Sequence, residues 1–172
     1  MEIDDMYQLY VNDLYRYLYS LSKDHYVAED LVHETFYRAF LHMDEAHVNI
    51  KAWLFKVAYH AFIDFIRKNK RMIISDQVTD GQIHEKAEPI ENSPESQLLE
   101  KESFQLLLND IHSLRENQKN ALLLCDFHKL TNQEAAEVLD ININTLKSHL
   151  LRGREKMVEK IRKRREKDER ER

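Results

Sequence analysis

Glycine and proline are almost missing from this chain: two of each in 172 residues. Sandwiches and barrels need turns at short intervals, and those turns draw on both residues. Their scarcity, with one third of the residues charged, excludes a turn-rich β-fold and predicts an all-α protein. Cysteine occurs once, so no internal disulfide can form. Cys125 lies in the apolar run Ala121–Phe127 and reads as a core residue of a chain in the reducing cytoplasm. No apolar run approaches the roughly 18 residues of a membrane span, and no secretory signal precedes the first helical pattern. The expectation is a cytoplasmic protein with no direct membrane insertion. Catalytic signatures are missing too: no P-loop, no HExxH, no GxSxG and no cysteine pair. The histidines form no ligand-spaced cluster; His42 and His47 only flank a loop. No enzyme activity, catalytic residue, metal or cofactor is expected.

Positive charge is short overall, with a net charge of −5, but its distribution is uneven. Residues 50–71 hold six basic groups against one acid, and residues 142–165 hold nine against two. Acidic sequence separates these two blocks. Local patches, not total charge, decide where a phosphate backbone docks.

The first basic block, Lys51–Arg71, reads as one helix of about five turns. It carries the sole tryptophan. Phe55, Tyr59, Phe62 and Ile66 make one apolar stripe, and Leu54, Ala58, Ala61 and Phe65 a second beside it. So wide an apolar face predicts a helix wedged between others in a bundle. The remaining face runs Trp53, Lys56, His60, Asp64, Arg67, Arg71. Cations and one large ring along a single face suit a polyanion with stackable bases. A solvated basic edge of a bundle helix is the plainer alternative.

Helical spacing also marks residues 3–21, where five tyrosines supply ring area and, in a bundle, wet hydroxyls. Asp24 is placed to cap a second helix. Ala28, Leu31, Val32, Thr35, Phe36, Ala39 and Phe40 form its expected buried stripe. Asp30, His33, Glu34, Tyr37 and Leu41 form the opposite one, which reads as a protein-docking surface or a solvated face. Residues 43–50 break the pattern. Residues 73–95 hold Gly81, Pro89 and Pro94 with little periodic apolar content, and read as a linker. Extended, its middle could span on the order of 60 Å.

Helical spacing resumes at 95–114 and again at 118–127. Thr131 and Glu134 make a capping box for a short helix. Asp140 then stands at a turn that favours the left-handed conformation, and Asn142 caps a long final helix. This is a helix-turn-helix pattern. Leu146, Leu150, Met157 and Ile161 mark the inner face of the last helix. Asn144, Thr145, Ser148, Leu151, Arg152 and Glu155 project outward, with Lys147 at the flank. Short polar groups near a helix N-terminus reach base edges, and later cations reach phosphates. Residues 166–172 are a mixed-charge tail, read as a solvated helical extension.

Two segments carry a family resemblance. AEDLVHETFYRAF (28–40), a loop, and WLFKVAYHAFIDFIRK (53–68) resemble region 2 of bacterial sigma factors of the extracytoplasmic-function (ECF) group. LRENQKNALLLCDFHKLTNQEAAEVLDININTLKSHLLRGREKM (114–157) is similar to their region 4. Within the sigma-70 family the pattern is closest to the sigma-M-like members. The resemblance implies two small helical domains, region 2 over 1–72 and region 4 over 96–165, joined by a flexible linker. It implies that Asp30, His33, Glu34 and Tyr37 bind the RNA polymerase core. It implies minus-ten contacts by Trp53, Lys56, His60 and Arg67, with a flipped base held by the preceding loop. Minus-thirty-five contacts would fall to Asn144, Thr145, Lys147, Ser148 and Arg152. A membrane-bound anti-sigma factor is the further partner implied.

This chain departs from the usual pattern at His33, at Tyr59–His60, at Asn144, at His149 and at Gly153. The implied function is a dissociable polymerase subunit that directs promoter recognition, melting and initiation, for stress-response genes. The rival reading is a stand-alone helix-turn-helix regulator. It needs neither the acidic docking face nor the tryptophan-bearing basic helix.

Overall fold

The computed structural model describes residues 2–45, 49–75, 102 and 105–171. Among them every regular element is helical. The chain divides into two compact units. Helices α1 (Ile3–Ser22), α2 (His25–Leu41) and α3 (Ile50–Ser75) build the first. Helix α4 (residues 105–112), α5 (Glu116–Leu122), α7 (Ile143–Arg170) and most of α6 (Asn132–Leu139) build the second. The expected linker lies outside the described residues except at its start, where α3 runs on to Ser75.

Local chemistry sets the ends of α1 and α2. A capping box of Glu2 and Asp5 opens α1, and Asp4 and Asp5 in its first turn suit the helix dipole. Lys23 ends it in the left-handed conformation (φ 59°), its N–H donating to the Tyr19 carbonyl at 2.8 Å. Asp24 is extended and caps α2, accepting from the Tyr26 and Val27 amides at 2.9 and 3.1 Å.

The core of the first unit lies where the three helices meet. Leu14, Tyr17 and Leu18, Ala28 and Ala39, and Leu54, Phe55 and Ala58 are wholly buried. Both apolar stripes of α3 face inward, as a wedged helix requires: Ala61 and Phe62 are buried, and Phe65 and Ile66 half-buried. Two expectations need correction. Tyr17 does not keep a wet hydroxyl. Its ring packs on Phe55 with centroids 5.1 Å apart, and burial, then Tyr59, drives its phenol well above the ordinary range. Phe40 does not join the buried stripe of α2; it is 58% exposed, because at 100° per residue it falls beside His33 and Tyr37 rather than over Ala28, Thr35 and the wholly buried Ala39.

In the second unit α5 passes into a π-helical turn, Leu123–Phe127, a feature with no signature in the sequence. His128 closes it by donating to the Leu123 carbonyl at 3.0 Å, and Lys129 turns the chain at φ 61°. The capping box forms as read: Thr131 N–H donates to Glu134 Oε1 at 2.9 Å, and Glu134 N–H to Thr131 Oγ1 at 3.1 Å. Asp140 is left-handed (φ 54°), and Asn142 Oδ1 accepts from the Asn144 amide at 2.8 Å. Those two residues make the turn and start α7.

Leu146, Leu150, Gly153 and Met157 pack the inner face of α7, while Ile161 lies at its edge. A Cβ on Gly153 would stand 3.1 Å from Leu122 Cδ1 and 3.3 Å from the Gln118 carbonyl oxygen. The glycine that weakens the helix locally thus lets α7 lie against α5 at a separation where an alanine would press on Leu122 and the Gln118 carbonyl. Two ion pairs tie α7 down: Arg154 grips Asp126 through two hydrogen bonds, 3.0 and 2.7 Å, and Arg164 reaches Asp110 on α4.

Candidate nucleic-acid interface

On α3, Trp53, Lys56 and His60 are half-buried, while Arg67 and Arg71 are exposed. Trp53 and His60 line an open cleft of about 190 Å³ with Arg38, His42 and Val57. Lys56 and Arg67 are not among its lining residues. A half-buried ring beside ring nitrogens and a guanidinium offers stacking and hydrogen bonds together, which is what an unpaired nucleotide needs.

Arg38 and His42 come from the end of α2, so no single-helix pattern points to them. Arg38 Nε donates to Glu34 Oε1 at 2.9 Å, and Nη1 to Asp64 Oδ2 at 3.0 Å. Burial alone would lower its pKa; the hydrogen bonds to Glu34 and Asp64 outweigh that and raise it. Asp64, an acid on an otherwise basic face, is explained by this bond.

The outer face of α2 carries Asp30, His33 and Tyr37, all exposed, with Glu34 at its side. Tyr26, Tyr37, Phe40 and Leu41 are each 57–62% exposed. Positions 26, 30, 33, 37 and 41 share one stripe of the helix. A row of large apolar groups with a carboxylate among them suits a protein partner better than water. Tyr26 and Phe40 extend the stripe beyond what the sequence pattern singled out.

On α7, Asn144, Thr145, Lys147, Ser148 and Arg152 are all exposed, and Leu151 is 59% exposed. They stand opposite the buried Leu146–Leu150–Gly153 seam. Arg154 is committed to Asp126. Cys125 lies behind the turn, and burial, then Asp126, pushes its thiol up, which suits a packing role rather than a reactive one. Among the described residues no cluster of histidine, cysteine and carboxylates could hold a metal, and no helix is long and apolar enough to cross a membrane.

The first unit thus carries a ring-bearing cleft and the second a helix-turn-helix, the architecture of a class of helical DNA-binding proteins. Comparison with known proteins makes the class specific. Residues 6–72 match the Sigma-70 region 2 family, and residues 104–157 match Sigma-70, region 4. The ECF RNA polymerase sigma factor SigM of Bacillus subtilis (strain 168) is 40% identical over 159 residues, covering 91% of this chain and 93% of that protein. SigW of the same organism is 26% identical, covering 92% and 88%. Among solved structures, the sigma factor RpoE in complex with the anti-sigma factor NepR from Bartonella quintana superposes with a TM-score of 0.75 at 25% identity, covering 92% of this chain and 96% of that one. The chain belongs to the ECF sigma factors of the sigma-70 family.

Proposed function

We propose that this ECF sigma factor binds the RNA polymerase core through α2, reads the upstream promoter element with α7, and captures opened minus-ten DNA on α3. The observation that supports this most is the pairing, within the first unit, of an apolar docking row on α2 with the Trp53 cleft. A stand-alone regulator has no use for either.

The division of labour follows from chemistry. Asp30, His33, Glu34 and Tyr37 meet the polymerase. Asn144, Thr145 and Ser148 reach base edges in the major groove, and Lys147 and Arg152 reach phosphates. Trp53 stacks on an unpaired base, with Lys56, His60 and Arg67 along the strand. Holding unstacked bases favours the open duplex over the closed one, so melting needs no nucleotide hydrolysis. The chain acts as a transcription initiation factor without catalysis of its own, in the cytoplasm, on stress-response genes. Solved relatives are held by an anti-sigma factor or by the cytosolic domain of CnrY. A membrane-bound anti-sigma factor is the matching partner here.

The test is Trp53→Ala in the holoenzyme. Polymerase binding should stay at the wild-type level, while permanganate reactivity of promoter thymines is lost. Equal reactivity in the variant and the wild type would remove Trp53 from the opening step.

A further inference from the structure

The Arg38 guanidinium joins the docking face to the DNA-facing cleft. One edge of it serves Glu34 on α2, at 2.9 Å, and another serves Asp64 on α3, at 3.0 Å. The same side chain lines the cleft beside Trp53 and His60. One cation between two carboxylates leaves the trio with a net negative charge. That is the wrong sign for a cleft that accepts a polyanion. A nucleotide entering it must compete with two carboxylates for the guanidinium.

The two carboxylates are equally exposed, 45% of each side chain, and differ in the helix that carries them. Asp64 lies on α3, one turn beyond His60. Glu34 lies on α2 beside the stripe of Asp30, His33 and Tyr37, where a partner seated on that stripe reaches it. Its pair with Arg38 is an i, i+4 surface contact, a weak interaction that another cation readily displaces.

We propose that Arg38 is a DNA-contacting cation held in check by Glu34, and that polymerase docking releases it by taking the Glu34 carboxylate. This rests on the assignment of α2 to the polymerase and of the Trp53 cleft to opened DNA. Once Glu34 pairs with a cation of the polymerase, Arg38 keeps only Asp64. The Nε–H is then vacated for a phosphate or a base acceptor. The free protein thus holds single strands about threefold more weakly than the docked one. By linkage, captured DNA strengthens docking by the same factor.

The full chain tests this without polymerase, because Trp53 is its sole tryptophan and reports on its own cleft. The probe is a mixed-sequence single-stranded DNA, titrated at several salt concentrations with fluorescence as the readout. Glu34→Gln should tighten binding about threefold, the scale of one exposed ion pair, and steepen the salt dependence by about one counterion. Glu29→Gln removes the same charge from α2 away from Arg38 and should change nothing. Adding Arg38→Gln to Glu34→Gln should cancel the gain. Wild-type affinity in Glu34→Gln, an equal gain in Glu29→Gln, or a gain that survives Arg38→Gln would each overturn the release of Arg38 while leaving the cleft assignment standing. A Trp53 signal that ignores single-stranded DNA in every variant, with opening by the Trp53→Ala holoenzyme intact, would overturn the cleft assignment and the release together.

Discussion

The two units solve their binding problems in different ways. The second unit builds the face proposed to read duplex DNA from one stretch of chain. Thr131 and Glu134 open α6, Asp140 makes the turn, Asn142 starts α7, and Asn144, Thr145 and Ser148 follow at once. The first unit assembles its cleft from the end of α2 and the start of α3, and the arrangement depends on a shared core. The surface in the second unit is local and the one in the first is tertiary. The difference predicts which substitutions each tolerates.

The largest effect should come from the core of the first unit. Phe55 is wholly buried against Tyr17, so Phe55→Ala should cost about 3–5 kcal/mol in chemical denaturation and abolish promoter opening. Opening at the wild-type level would mean that the cleft does not need the packing of α2 against α3. In the second unit, Asn142→Ala should cost about 1 kcal/mol of helix stability and weaken duplex binding, measured by filter binding or anisotropy. Arg152→Ala should weaken that binding by a similar amount across sequences and lower the salt slope by about one. Gly153→Ala should not deliver the gain of about 1 kcal/mol expected of an exposed helix, because the Gln118 carbonyl and Leu122 stand in the way. A melting temperature raised by the full amount would show that α7 has room to spare.

The smallest effect concerns Cys125. Burial raises its thiol pKa, so the folded state favours the protonated form. Its contribution to stability is complete below the thiol pKa of the unfolded chain and is lost as pH rises through the higher folded value. Alkylation by iodoacetamide at mildly alkaline pH should be slow in the native protein and fast after unfolding.

The same contrast explains what the sequence disclosed. Caps and turns act over three or four residues, so Asp24, Thr131, Glu134, Asp140 and Asn142 could be read directly, and the structure forms each of them. The stripes of α3 were legible because a wedged helix needs two. Arg38 and His42 were not, since their place beside Trp53 depends on how α2 packs on α3. Asp64 stands on a basic face because Arg38 of α2 pairs with it, a contact no single-helix pattern contains. Phe40 was misread because an apolar residue at the margin of a stripe is counted with it, while its angle puts it beside His33 and Tyr37. Tyr17 shares the helical spacing of Leu14, Leu18 and Leu21, so its side was legible; its depth was not, because periodicity does not say whether a phenol tip reaches water. The π turn at Leu123–Phe127 lies in an apolar run that suits an ordinary helix equally well. The contacts of Gly153 likewise belong to the packing of α7 on α5, not to either helix alone.

The measurement that bears most directly on function is run-off transcription with purified bacterial core RNA polymerase. The template pool would be random in both promoter elements. Initiation from a specific subset is the expected result, and the selected sequences would give the promoter motif. No initiation, with tight duplex binding by the protein alone, would contradict the account and favour a stand-alone regulator.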